Sequence, residues 1–465
     1  MGTWEAWTIS RPCGVGSGVA PCATSRYDHS MKRWRTIAIV LIIALALLGA
    51  GLLALPTFVR ALPGRYAVYL PEPLLELRRL SHPDTLPTAI FTPTETGPSP
   101  TPTPSPTPPP TDTPDPTETP YPTETPQPTD TPVPSPTPTP TLPPSFSLEG
   151  VRHEHQRWNN CGPATLAMAL SYHGRDETQM DIAPVLKPDP EDKNVSPCEM
   201  AAYTRELGLG ATVRVNGTLE RLRALVHAGY PVIVETWYVR DARDQLGHYR
   251  LVVGYDDSAQ RFITYDSLDG PNVTIGYQEL DELWRVFNRL YLVVYQPEQW
   301  DDLAAVLGAD ADDTVMYERA VERARTEAAN PPDSCVAYWD CDDWVVFSHF
   351  NIGSSLTALG RHEEASAAYD QARQLGLHFR MLWYQFGPYE SYYAVGRYED
   401  VVTLANATLA TATNLEESYY WRGRARLALG DTEGARSDFR TALRYHEGWG
   451  PAQRALEELN EASGG

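Results

Sequence analysis

From Thr92 to Pro144, proline stands at almost every second position, with Thr, Ser, Asp and Glu filling most of the rest. The stretch has no Lys or Arg, and Tyr121, Val133 and Leu142 are its only sizeable apolar residues. Such a segment cannot bury enough surface to offset the entropy of ordering itself. Dense proline biases it toward polyproline II at ~3.1 Å per residue, a reach on the order of 150 Å. The expectation is a disordered Pro/Thr-rich linker over residues 92–145, of the kind that forms stalks outside the cell. Folding of the 465-residue chain is therefore decided on either side of it.

Before the linker, Thr36 to Val59 carry no charge and run IAIVLIIALALLGAGLLAL through their middle. That length suffices for a helix crossing a bilayer core of roughly 30 Å. Lys32, Arg33 and Arg35 precede it, which favours a cytoplasmic N-terminus, although Arg60 and Arg65 follow. The expected organisation is a tail or misassigned extension at 1–35, an uncleaved transmembrane helix at 36–59 and a juxtamembrane segment at 60–91. The competing reading is a cleaved signal peptide, for which the apolar run is long. The folded parts are then extracellular, on a single-pass anchor in the cell membrane.

The net charge of −22 opposes a general nucleic-acid binder, which needs a basic face for phosphates. The six cysteines contain no CxxC pair, and no Cys/His cluster has zinc spacing, so neither metal nor other cofactor is expected. His153, His155 and His173 lie near one cysteine without ligand spacing, and Cys198 reads as structural. Cys335 and Cys341 either bridge in an oxidising compartment or remain two free thiols.

Folded sequence resumes near Phe146 with HEHQRWNNCGPATLAMALSYHG, His153 to Gly174. Pro163 suits the first turn of a helix, so Cys161 falls at or just before a helix N-terminus. There the helix dipole and unpaired N–H groups favour a thiolate. Gln156, five residues upstream, offers an amide N–H for an oxyanion formed at that sulfur. A base is found in GHYRLVVGYDD, where alternation from His248 to Tyr255 reads as a strand. The next strand, RFITYDS, ends at Asp266, and antiparallel pairing sets that carboxylate where it can orient His248. PVIVETWYV, Pro231 to Val239, and RLYLVVY, Arg289 to Tyr295, supply two further strands. Trp158 and Trp237, with Tyr238 and Tyr249, are candidates to line a substrate groove; core packing is the plainer role, most of all for Tyr249.

These motifs resemble papain-like cysteine peptidases, specifically the group that trims double-glycine leader peptides and its stand-alone relatives. The resemblance spans Phe146 to Pro297. It implies an α+β domain with Cys161 as nucleophile, His248 as general base, Asp266 as its orienter and Gln156 as oxyanion donor. Two features depart from the family pattern. The Gln-to-Cys spacing is five rather than six, so Asn159 or Asn160 could share the oxyanion role. Asp266 is followed by Ser267 where the family often has proline. The chain has no GxxxxGK[ST] loop, so transporter-coupled leader removal is not implied.

Toward the C-terminus, Gly353, Gly360, Ala365, Tyr369 and Ala372 recur at the same offsets as Gly423, Gly430, Ala435, Phe439 and Ala442. The pattern resembles tetratricopeptide repeats, in which small residues let paired helices approach. A middle copy contains Gly396 and Tyr398, and an eroded first copy Gly308, Tyr317 and Ala320. The expected architecture is a papain-like domain at 146–298 followed by all-α repeats at 299–465. The expected function is hydrolysis of peptide bonds, with a peptide or protein substrate and a possible protein partner on the repeats. The alternatives are a non-catalytic protein-binding module on the peptidase fold, and repeats that merely stabilise that fold.

Overall fold

Gly162 to Leu170 is a run with almost no polar residue, and such a helix must be enclosed on all sides. In the computed structural model it forms α1 (Cys161–Tyr172), with every residue from Gly162 to Leu170 buried. The structure describes residues 142–464 except 242, 243, 338–340 and 342, together with 85–89 and a few isolated positions nearer the N-terminus. The expected tail at 1–35, the membrane segment at 36–59 and the Pro/Thr stretch up to residue 141 lie outside it, those isolated positions apart. Among the described residues no helix is long and apolar enough to cross a membrane.

Two short helices follow, α2 (Gln179–Leu186) and α3 (Pro197–Glu206), each opened by a capping box. Thr178 pairs with Asp181 and Ser196 with Glu199, satisfying the first amides of each helix. The remaining elements of this half are β2 (Gly210–Arg214), α4 (Leu219–His227), β3 (Val232–Asp241), β4 (Asp244–Asp256), β5 (Arg261–Asp266), β6 (Gly270–Gly276), α5 (Tyr277–Arg285) and β7 (Tyr291–Tyr295). The strands form an antiparallel sheet in the order β2-β7-β3-β4-β5-β6, and the short β1 (Ser145–Ser147) pairs with β4. The sheet packs against α1 through β4, whose Tyr249 carbonyl accepts from Thr165 Oγ1 at 3.2 Å. Register places Thr236 opposite His248 and Arg250 opposite Asp266.

After α6 (Trp300–Leu307) the chain is helical: α7 (Asp313–Ala329), α8 (Asp343–Ala358), α9 (His362–Gln374), α10 (Gly387–Ala394), α11 (Tyr398–Thr411), α12 (Glu416–Ala428), α13 (Thr432–Tyr445) and α14 (Gly450–Gly464). Gly353 and Gly423 sit where a β-carbon would come within 2.5 Å of Tyr369 and 2.6 Å of Phe439. Ala365, Ala372, Ala435 and Ala442 are fully buried on the facing helices. This is the close helix approach that the repeated small residues implied. Before α8, Cys335 and Cys341 form a disulfide.

The sheet and the helices share one continuous apolar core. Trp237, on β3, is fully buried, with its ring near Phe287, Phe347, His378 and Tyr384. The expectation that Trp237 lines a substrate groove is corrected by this burial: its surface is spent on joining the sheet to the repeats. Arg285 lies over the Trp344 ring at 3.5 Å and donates to the Trp344 carbonyl at 2.9 Å. Asn288 donates to Ser355 at 2.8 Å, and Asn351 to the Arg285 carbonyl at 2.7 Å. Residues 85–89 dock on the same body. Leu86 N–H donates to the Leu377 carbonyl at 2.8 Å, and Arg373 donates to the carbonyls of Pro87 and Thr88 at 2.7 and 2.8 Å.

Because the two halves share a core, Trp237→Ala is expected to destabilise the whole folded body by about 3–5 kcal/mol, measured by urea unfolding. Deleting residues 299–465 is expected to remove the cooperative transition of the sheet. A truncated chain melting as the intact one does would refute the shared core.

Candidate active site

The N-terminus of α1 is left open for its first residue. Asn160 precedes the helix without a side-chain cap, and the first turn carries no acidic residue. Its unpaired amides and dipole therefore act on Cys161. The left-handed backbone of Asn159 (φ 53°) turns the chain into the helix. The amides of Asn159 and Asn160 are used elsewhere. Asn159 Nδ2 donates to the Glu191 carbonyl at 3.3 Å, and Asn160 Nδ2 to Gln179 Oε1 at 3.2 Å. A share for these two side chains in an oxyanion site is thus not what the structure displays.

On β4, His248 and Arg250 point to one face by the two-residue period of a strand. Asp266, opposite Arg250, serves both. His248 Nε2 lies 2.9 Å from Asp266 Oδ1, and Arg250 Nε donates to Oδ2 at 2.9 Å. The Leu268 and Asp269 amides donate to Oδ1 at 2.8 and 3.2 Å. Asp266 has no solvent exposure. Burial alone would raise its carboxyl, but the hydrogen bond and charge of His248, the Arg250 charge and the Leu268 amide hold it well below the usual range.

Cys161 and His248 lie close enough for each to shift the other's titration. Burial would raise the thiol, yet the neighbouring His248, its charge and the amides of Tyr249 and Gly162 lower it. Burial would lower the imidazole, and Asp266, with the nearby Cys161, raises it instead. The two shifts point to a thiolate–imidazolium pair. Cys198 differs: partial desolvation and the adjacent Glu199 raise its thiol, although the residue is exposed.

Gln156 reaches the same place from the preceding loop. Its backbone N–H donates to the Ser267 carbonyl at 2.9 Å, and Ser267 Oγ donates to Gln156 Oε1 of the side chain at 2.8 Å. With the oxygen end held, the Nε2 end is the donor that remains. Ser267 thus does a specific job at the position where the family often has proline. Trp158 is partly buried beside Asn159, with Nε1 3.4 Å from Glu191 Oε2 and its ring 5.5 Å from Lys193 Nζ. Tyr249 packs in the core, donating to the Val195 carbonyl at 3.0 Å. His153 accompanies the site only as a 2.8 Å partner of the Asp266 carbonyl. Among the described residues no His, Cys, Asp and Glu group could hold a metal ion.

Three neighbours escaped the sequence reading, and a fourth, Tyr238, was read there only as a candidate to line a groove. Arg250 was legible in principle, two residues after His248 on the same strand face. Tyr238 covers His248 with ring centroids 5.1 Å apart. Glu235, buried opposite Tyr249, is pushed well above the carboxylate range by burial and by the nearby Cys161. Tyr384, from the turn before α10, lies against Gly247, and no local motif announces it.

Comparison with known proteins follows this geometry. Residues 148–292 match the Peptidase_C39 like family, and residues 348–374 and 416–446 match the tetratricopeptide repeat. No curated protein matches the chain. Among solved structures, a C39-like peptidase from Bacillus anthracis overlaps at 17% identity and a TM-score of 0.28, covering 33% of this chain and 98% of that one. The first tetratricopeptide domain of Spaghetti (RPAP3), bound to an HSP90 peptide, overlaps at 18% identity and a TM-score of 0.24, covering 26% and 94%. Neither overlap is close enough to carry an argument about activity. The family matches, which coincide with the sheet and the helix pairs described above, identify residues 148–292 as a C39-like peptidase-family domain on a chain that also carries tetratricopeptide repeats.

Proposed function

We propose that this chain is a cysteine peptidase. The observation that carries the reading is Cys161 at an uncapped helix N-terminus, beside a His248 whose Nε2 is held 2.9 Å from a buried, ionised Asp266. The thiolate attacks a peptide carbonyl and the carbonyl π electrons move to oxygen. Gln156 Nε2 and a backbone amide of the helix start stabilise that oxyanion. As it collapses the C–N bond breaks, and His248 delivers its proton to the departing amine. The thioester left on Cys161 is hydrolysed by water, which His248 deprotonates, restoring the thiolate–imidazolium pair. Asp266 stays ionised throughout and fixes the imidazole.

The proposal extends to place and partner. The charge-free run at 36–59 anchors the protein in the cell membrane by a single span, with the N-terminus cytoplasmic and the folded body outside. The Cys335–Cys341 disulfide supports an oxidising compartment. The helical repeats bind a protein partner or the protein substrate. Protease treatment of intact cells is expected to release a fragment holding both the sheet and the repeats. Protection of that fragment until lysis would reverse the orientation.

The pH dependence follows from the two shifts. A lowered Cys161 supplies thiolate at pH values where a free thiol, near about 8.5, is still protonated. A raised His248 keeps its proton for the leaving amine above about 6.5, the value of a free imidazole. Hydrolysis should therefore give a bell, its acid limb below the free-thiol value and its alkaline limb above the free-imidazole value; both limbs belong to the coupled pair. Iodoacetamide should label Cys161 before Cys198 at acid pH. An inflection at the free-thiol value, or preferential labelling of Cys198, would remove the nucleophile.

Gln156 separates the oxyanion role from thiol activation. Gln156→Ala is expected to lower kcat by about 10²–10³ and to leave Cys161 alkylation, which forms no oxyanion, unchanged. Equal loss of both would assign Gln156 to the thiol instead.

A further inference from the structure

The backbone that delivers His248 is held on the repeat side at three successive residues. Arg380, in the short 3₁₀ helix Phe379–Trp383, donates through Nη1 to the Gln245 carbonyl. Gln245 Oε1 also accepts from Trp237 Nε1 at 2.5 Å. Leu246 packs in a small apolar cluster with Trp383, Tyr384, Ala412 and Leu415. Gly247 lies under the Tyr384 ring, where an added β-carbon would stand 2.9 Å from Cζ and 3.0 Å from both Cε atoms. Gly247 and Tyr384 are each only partly buried, so this contact borders the site rather than the deep core. The nearby Cys161 and Glu235 add to the burial that raises the Tyr384 phenol.

We propose that Tyr384, contributed by the repeats, is a positioning residue of the peptidase site: its ring sets the Gly247–His248 step of β4 and so the alignment of His248 with Cys161. This rests on the reading of Cys161 as nucleophile. Glycine at 247 is then a fitted partner of the ring, because any side chain there collides with it. The repeats become part of the machinery instead of an appendage that delivers substrate to it. The ring acts through the His248 backbone and takes no part in bond making.

A cycle of variants in the full-length chain tests this, reading the pH profile of Cys161 alkylation, kcat and KM on a short peptide, and thermal unfolding. Tyr384→Leu fills much of the space and keeps the fold if Tyr384→Ala does not. In either variant the Cys161 inflection is expected to move toward the free-thiol value, with roughly tenfold slower labelling per pH unit moved. The loss should fall on kcat and spare KM. Tyr384→Phe keeps the ring and should remain near wild type. Gly247→Ala alone should show the same defect, and adding Tyr384→Leu should cost nothing further or recover activity. Additive losses in the double variant, or an unmoved inflection and kcat in Tyr384→Leu, would overturn the proposal. A wild-type inflection at the free-thiol value would instead remove the peptidase reading, so the two failures are distinguishable.

Discussion

A carboxylate with no exposure to solvent survives only if donors surround it, and Asp266 is such a group. Its four donors come from two directions: His248 and Arg250 on the neighbouring strand, and the Leu268 and Asp269 amides of its own turn. Each must be placed before the charge can be buried. The register of β4 against β5 is therefore tied to this one side chain, since a slip of one residue would turn His248 and Arg250 to the other face. Arg250 in turn donates to Thr236 on β3, so the constraint crosses three strands. The candidate site is a by-product of satisfying a buried charge, and Cys161 meets an imidazole already fixed in orientation.

Much of this was legible in the residues. The helix start at Cys161 followed from Pro163 and an apolar run. The strands followed from alternation, and the order helix-cysteine, strand-histidine, strand-aspartate brought the three side chains to one place. The paired helices followed from small residues at repeated offsets, with Gly353 and Gly423 facing aromatic rings as the pattern implied. Trp237 misled because an aromatic on a strand looks the same whether it lines a cleft or joins two halves. What decides is the surface it meets, and that surface lies more than 100 residues further along the chain. Tyr384 escaped for the same reason, since its neighbour Gly247 carries no side chain to suggest a partner. Ser267 was noticed only as a departure from proline, although its hydroxyl holds Gln156.

The shared core changes how the two halves should be regarded. A module joined by a linker can be exchanged with little effect on its neighbour, and relative motion is the default. Here Arg285 stacks on Trp344, Asn288 meets Ser355, and Trp237 is enclosed by aromatics from both sides. Such contacts are those of a domain interior, so substitutions in α8 or in the Phe379–Trp383 turn are transmitted to β3 and β4.

The docking of Leu86 to Thr88 beside Arg373 bears on what the Pro/Thr stretch can do. A spacer lengthens a tether only when its ends belong to different bodies. Ala89 and Leu142, the described residues on either side of this stretch, belong to one body. Adding or removing Thr-Pro pairs then changes only the length of chain that connects two points of one body. Closing a longer loop costs only about 0.6 kcal/mol per doubling of length. A change in the number of residues between Ala89 and Leu142 would therefore cost the folded body little.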